Sequence, residues 1–323
     1  MVKLLIDFIQ FLNTVVPLFA SLAILTLLSI LLAKSIKKHA KIYYTVSAIP
    51  LVLVVVPFVC RQLGIETYNF NSIPFLGGIL RDYIHMGTLG FPLLIIIMYV
   101  GALNPKNMYV KRLLSIRKEL SILSGFPILT HSLIRVFNNF PNALKFFTDN
   151  EGYMATSKVT NGLGAGITNF SLVLGILMLA LFIPLWVTSF DSIRKRMGTV
   201  KWKKLQRWSY VLYATLFIHA MCLQVGYMLN PREREMSRPT IEVKASNTEN
   251  QRGNNNAEAR SEVQTARPAG NRGHVQSKGF SDIEVGSKTK RHIHIASLLL
   301  IFGSYLYLRL RKAKKDATGK TTR

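Results

Sequence analysis

Two histidines carry the chemistry this sequence can do. His131 lies in the run SILSGFPILTHSLIRVF and His219 in WSYVLYATLFIHAMCLQ. An ionisable side chain in an apolar stretch of that length is costly to insert into a bilayer, so each is a functional candidate. Each follows a charged boundary residue by 12 positions: Glu119 for His131, Arg207 for His219. At the helical rise both imidazoles lie about 18 Å beyond their boundary. That depth is a little past the midplane of a hydrocarbon core about 30 Å thick. Two neutral imidazoles at one level, on two helices running the same way, can ligate one heme iron from its two faces. The alternative is that each ring is satisfied by a carbonyl of a neighbouring helix.

Other polar residues gather around this pair. Arg135 lies one turn beyond His131 on the same helix face. It can hold a heme propionate near the outer surface, or snorkel to the interface. His85, at the outer boundary of its apolar block, reads either as interfacial packing or as a contact to heme or a quinone. His292 and His294 are two apart, but nothing completes a metal set around them. His39 and His274 receive no role. No Asp or Glu falls in the middle of an apolar block, which argues against an ion-coupled transporter.

The elements that must position these residues are membrane helices. Seven apolar blocks approach the length of a span: Leu4–Ala33, Ile42–Val59, Met86–Leu103, Leu120–Phe137, Ile167–Phe190, Leu205–Leu229 and Ile293–Leu310. The expected fold class is all-α, a polytopic bundle of about seven transmembrane helices with a heme-binding core of helices three to six. The net charge of +25 is concentrated in four segments. Lys34–Lys41 and Lys106–Glu119 carry +4 each, and Asp191–Arg207 and Arg309–Arg323 carry +6 each. They follow blocks one, three, five and seven, hence one side of the membrane. This is the positive-inside pattern, with the N-terminus outside and the C-terminus cytoplasmic in a cell (inner) membrane. The basicity therefore points to anionic lipid headgroups and not to nucleic acid. The first block is too long for a cleaved signal, and its positive charge follows it instead of preceding it. Two cysteines, Cys60 and Cys222, make no disulfide framework and read as packing residues.

Four segments result: 1–83, two helices and an outer loop; 84–229, the heme-binding unit; 230–291, an outer linker; and 292–323, the last helix and a basic tail. Pro127 should kink helix four just before His131. Asn138–Gly166 is expected as an outer loop with room for a short surface helix. Its glycine run at Asn161–Gly166 follows no strand, so it reads as a flexible helix start and not as a nucleotide loop. Arg194–Arg207 is expected as a short basic loop. The linker is rich in Asn, Ser, Arg, Glu and Gly and nearly free of aromatics, a composition that predicts disorder.

The runs PLWVTSF, RKRMG, WKKLQRWSY and IHAM, with RKELSI and THSL in helix four, resemble the ferric reductase-like transmembrane domain. In form they are most similar to the heme-binding membrane subunit of the periplasmic methionine sulfoxide reductase system. The resemblance spans roughly Ile84 to Met228. It implies a heme b domain that passes electrons across the bilayer, with His131 and His219 at the heme-ligand positions. A further histidine of the family falls at Gln206, a poor iron ligand, and this departure from the family pattern leaves one heme expected here. Only a short tail follows helix seven, so the electron donor is expected to be a separate protein, a quinol or a bound flavin (FMN). Arg194–Arg207 is a candidate dock for it, though topology alone also explains those charges. The expected function is electron relay from an inner-side donor to an extracytoplasmic acceptor. Rival readings are a ferric-chelate reductase component and a heme-free membrane transporter or scaffold.

Overall fold

The structure is a computed structural model that describes residues 17–68, 76–79, 87–157, 159, 161–230 and 287–321. Among these residues the fold is all-α. The first half of the chain forms α1 (Pro17–Leu31), α2 (Ala33–Lys38), α3 (Ala40–Gln62), α4 (Leu76–Ile79), α5 (Gly90–Ala102) and α6 (Met108–Ser115). The second half forms α7 (Arg117–Thr148), α8 (Asn150–Thr156), α9 (Gly162–Val187), α10 (Asp191–Met197), α11 (Thr199–Gln206), α12 (Ser209–Leu229) and α13 (Ser287–Thr321). His85 and residues 231–286, most of the expected linker, lie outside the described residues.

Five stretches are long and apolar enough to cross a bilayer: Ala40–Gln62, Arg117–Thr148, Gly162–Val187, Thr199–Leu229 and Arg291–Lys315. They correspond to five of the seven expected spans. The other two are shorter apolar helices, Leu18–Leu31 and Gly90–Ala102. With 13 residues, α5 is about 20 Å long, less than the hydrocarbon thickness. It is instead the centre of the bundle. Its run from Leu93 to Met98 is buried throughout, as expected of a helix that is apolar on every side. It packs against α1, α7 and α13. On the periphery, Ile42, Val46, Ile49, Val52 and Val56 of α3 are exposed at a spacing of three to four residues, a stripe fit for lipid.

Two proline positions in these helices are compensated. Pro127 has no amide hydrogen, so the carbonyl of Leu123, one turn earlier, has no helical partner. The Ser47 hydroxyl of α3 donates to it at 3.3 Å. In the same way the Tyr68 hydroxyl donates at 3.0 Å to the Leu53 carbonyl that Pro57 leaves open. Hydroxyls from a neighbouring helix and from the segment after α3 thus satisfy backbone that lipid cannot.

Several expected boundaries move. Helix four does not end at Phe137: α7 continues through Pro141 to Thr148, and α8 is the short helix that follows. The basic Arg194–Arg207 segment is not a loop but two short helices, α10 and α11, hinged at Gly198 with φ +79°. The glycine run is a helix start, as expected, with Gly162–Gly166 already helical behind the N-cap Asn161. Gly164 and Gly226 are where α9 and α12 meet. A Cβ on Gly226 would stand 2.2 Å from Thr168 Oγ1 and 3.2 Å from the Gly164 carbonyl oxygen. Small residues at such a crossing let membrane helices touch backbone to backbone. Helix seven extends beyond Ile293–Leu310 in both directions, as α13. Cys60 and Cys222 are free, as expected.

The four basic segments gather at one end of the bundle. There α2 packs on α6, the Lys118 ammonium pairs with Asp191 at 2.9 Å, and Lys312 Nζ donates to the Gly101 carbonyl at 3.0 Å. The Lys118 ammonium holds the Asp191 carboxyl below the usual carboxylate range. Helices α7 and α12 both start from this end and therefore run in the same direction. We expect this end to face the cytoplasm. Single cysteines at Lys38→Cys, Lys203→Cys and Lys314→Cys, in a background lacking Cys60 and Cys222, should react with an impermeant maleimide only from the inner side. Labelling of Lys203→Cys from outside would reverse the assignment.

Candidate functional site

His219 lies in the middle of α12, on the helix that packs most extensively against α9. Its Nδ1 stands 2.7 Å from the Ser171 carbonyl oxygen of α9. A carbonyl can only accept, so Nδ1 carries the proton, and in the neutral ring Nε2 keeps its lone pair. This is the neighbouring-helix carbonyl bond that the alternative reading expects, and it is also the bond that fixes a metal-ligating histidine and keeps its other nitrogen a base. Ser171 is itself immobilised, being almost fully buried with its hydroxyl on the Thr168 carbonyl at 2.6 Å. One turn further along α9, Gly175 lies against the ring. A Cβ there would be 3.3 Å from His219 Cε1.

His131 is half-buried on α7, one turn beyond Pro127. Gly87 backs its ring. This glycine has φ +78°, a conformation that L side chains rarely adopt, and a Cβ on it would stand 3.1 Å from His131 Nδ1. Both imidazoles are thus held against a glycine backbone of another segment. Arg135 is half-buried one turn further along α7. The two histidine helices are not a packed pair. α7 packs on α3, α5 and α9, and α12 packs on α9 and α13. The structure therefore sets the pair on parallel helices with α9 bridging them.

Gln206, expected as a poor ligand, is committed elsewhere. Its Nε2 stands 3.3 Å from the Leu185 carbonyl oxygen and 3.3 Å from Thr188 Oγ1. With Trp202 Nε1 donating to the Thr188 carbonyl at 3.0 Å, it fastens α11 to the end of α9. Among the described residues no group of three or more His, Cys, Asp or Glu is placed to hold a metal ion. Sequence reasoning missed Ser171, Gly87 and Gly175. The Ser171 carbonyl has no signature in a sequence. The two glycines do, since a glycine in or beside an apolar helix marks a close approach.

The donor chemistry is of the kind that holds heme iron, two neutral imidazoles in apolar surroundings. The His219 tautomer leaves Nε2 unprotonated, and the two glycines leave room for both rings where a side chain would not.

Residues 82–217 match the model of the family described as ferric reductase like transmembrane component. The match includes His131 and ends two residues before His219. An uncharacterized protein of Treponema pallidum (strain Nichols) is 30% identical over 191 residues, which are 58% of this chain and 46% of that protein. The chain thus spans less than half the length of this relative. No solved structure matches. From α5 into α12, this multi-pass membrane protein is similar to the ferric reductase-like transmembrane components.

Proposed function

We propose that this protein binds one heme b between α7 and α12 and relays electrons from an inner-side donor to an extracytoplasmic acceptor. The observation that carries this reading is the fixed His219 ring, its Nδ1 proton on the Ser171 carbonyl, on a helix parallel to that of His131. The equal 12-residue offsets of the two histidines and the family match over residues 82–217 support it.

His131 and His219 would hold the iron, and Arg135 would hold a propionate toward the outer side. When bound, the heme supplies reversible one-electron chemistry that no side chain of this protein offers. The chain supplies the rest. The Ser171 carbonyl fixes the tautomer and angle of one ligand, and Gly87 and Gly175 admit the rings. The apolar bundle excludes water, and the basic end offers a dock to a quinol, a bound FMN or a reductase partner. His85 stays in this proposal as a contact of heme or quinone near the outer face.

A Soret band in protein purified from heme-replete cells tests the heme, and its absence leaves the transporter or scaffold reading. The acceptor is tested in right-side-out vesicles supplied with ferric chelates, or with an oxidised methionine-containing protein together with its reductase partner. A spectrum that reoxidises with the chelate alone favours the ferric-chelate reading. We also expect residues 230–291 to be dispensable for heme binding. Deleting residues 240–286 should leave the absorption spectrum unchanged. Loss of the Soret band in an inserted deletion variant would show that this segment shapes the site.

A further inference from the structure

A second polar site stands at the basic end of the bundle, between α5, α7, α12 and α13. Two cations converge there on one glycine. Lys312 Nζ donates to the Gly101 carbonyl at 3.0 Å, and the Arg117 guanidinium comes within 3.5 Å of the position a Cβ of Gly101 would take. A third cation, Arg309, lies one turn before Lys312 on the same face of α13, over the Tyr210 ring and bonded to its hydroxyl. Arg117 acts electrostatically on both Tyr213 and Tyr305, and Arg309 on Tyr305, so two of the three cations lie near a pair of tyrosines. The rings of Tyr213 and Tyr305 are 6.4 Å apart, and Tyr213 is buried.

No described acid pairs with this cluster. Among the described side chains, the acids at this end are Glu119 and Asp191, and both pair with Lys118, at 3.4 and 2.9 Å. Arg117 makes no ion pair among the described residues. Topology requires only that cations stay on this side. It does not require Lys312 to turn back onto α5 instead of extending into water, nor Arg117 to lie toward the same residue. Arg309 and Lys312 are half-buried and Arg117 is exposed, and like charges drawn together in this way repel less when a counter-ion joins them.

We propose that Arg117, Arg309 and Lys312 hold a phosphate anion at this site, in the first place the headgroup phosphate of an anionic lipid. An arginine offers a planar fork for phosphate oxygens, the lysine a point charge, and tyrosine hydroxyls further donors. Basic pockets between membrane helices at headgroup level suit this ligand. Bound there, the lipid ties α13 to α5 and α7 at the end where the bundle is otherwise self-repelling. This proposal does not depend on heme.

The test is native mass spectrometry of the full chain in detergent, titrated with phosphatidylglycerol, with phosphatidylcholine, or with phosphatidylglycerol in the presence of inorganic phosphate. The expected result is saturable binding of phosphatidylglycerol over phosphatidylcholine. Binding should weaken on the order of tenfold in Arg117→Gln/Lys312→Gln. It should be unchanged in Lys203→Gln/Lys204→Gln, which removes equal charge from the same end. Displacement by inorganic phosphate would identify the free ion as an equal occupant, and its absence would identify the lipid. Equal loss in both double variants, or loss in neither, overturns the site. If Arg117→Gln/Lys312→Gln does not fold, Lys312→Gln alone carries the same comparison.

Discussion

Replacing His219 with alanine is expected to abolish the low-spin heme spectrum of the purified protein, and replacing His131 with alanine to do the same. The two substitutions should be equivalent because a low-spin iron needs a strong ligand on each face. Among the described residues, no other histidine lies in the middle of a long apolar helix. The His219 Nδ1 proton is used on the Ser171 carbonyl, so only Nε2 is available for iron. Gln206→Ala should keep the spectrum. Its amide is spent on the Leu185 carbonyl and the Thr188 hydroxyl, near the basic end and about 20 Å along the helix from His219. His85→Ala should keep it too, with a shifted potential at most. The pyridine hemochrome assay should give one heme per chain. Two hemes per chain, or a normal low-spin spectrum in His131→Ala, would sink the bis-histidine proposal. Retained tryptophan fluorescence and thermal stability in the alanine variants separate ligand loss from unfolding.

The parts of this architecture written in hydropathy were legible in the sequence. Ala40–Gln62 and Thr199–Leu229 cover the expected second and sixth blocks, and Gly162–Val187 most of the fifth, because about 20 consecutive apolar residues have one stable state in a bilayer. The gathering of four basic segments at one end was legible too, from charge alone. What hydropathy does not encode is where a helix stops once neighbours support it. The α7 helix runs eleven residues past Phe137 because Pro141 does not break it. The Arg194–Arg207 stretch looks like a loop by charge, yet it folds as two helices because Trp202 and Gln206 bond back to Thr188. Of the proposed site, the two histidines could be named from type and spacing. The atoms that orient them could not, because a carbonyl belongs to every residue and becomes a hydrogen-bond partner only when two helices are placed side by side.

The second large effect is expected at Gly125, six residues before His131. A Cβ on Gly125 would lie 1.8 Å from Trp186 Nε1, 2.2 Å from its Cε2 and 2.4 Å from its Cδ1. No rotation of a methyl group relieves contacts that short, so Gly125→Ala must expel the indole. Trp186 then loses the hydrogen bond from Nε1 to the Ile122 carbonyl at 2.9 Å, and its edge contacts with Phe126 and Phe190, both at 5.5 Å. Overpacking of this kind costs about 1–3 kcal/mol. An unpaired indole N–H in a dry helix interface adds about 1–3 kcal/mol. The sum is large against the few kcal/mol by which a helical bundle is stable, so Gly125→Ala should lower Tm markedly in detergent. The same displacement would part α7 from α9, the helix that holds the Ser171 carbonyl, so heme retention should fall with Tm. Trp186→Leu in the Gly125→Ala background should recover part of the loss, because the clash goes with the ring. The two substitutions should therefore be strongly non-additive. A Gly125→Ala variant with unchanged Tm, or additive losses in the double variant, would mean that Trp186 does not seat on Gly125 in the membrane.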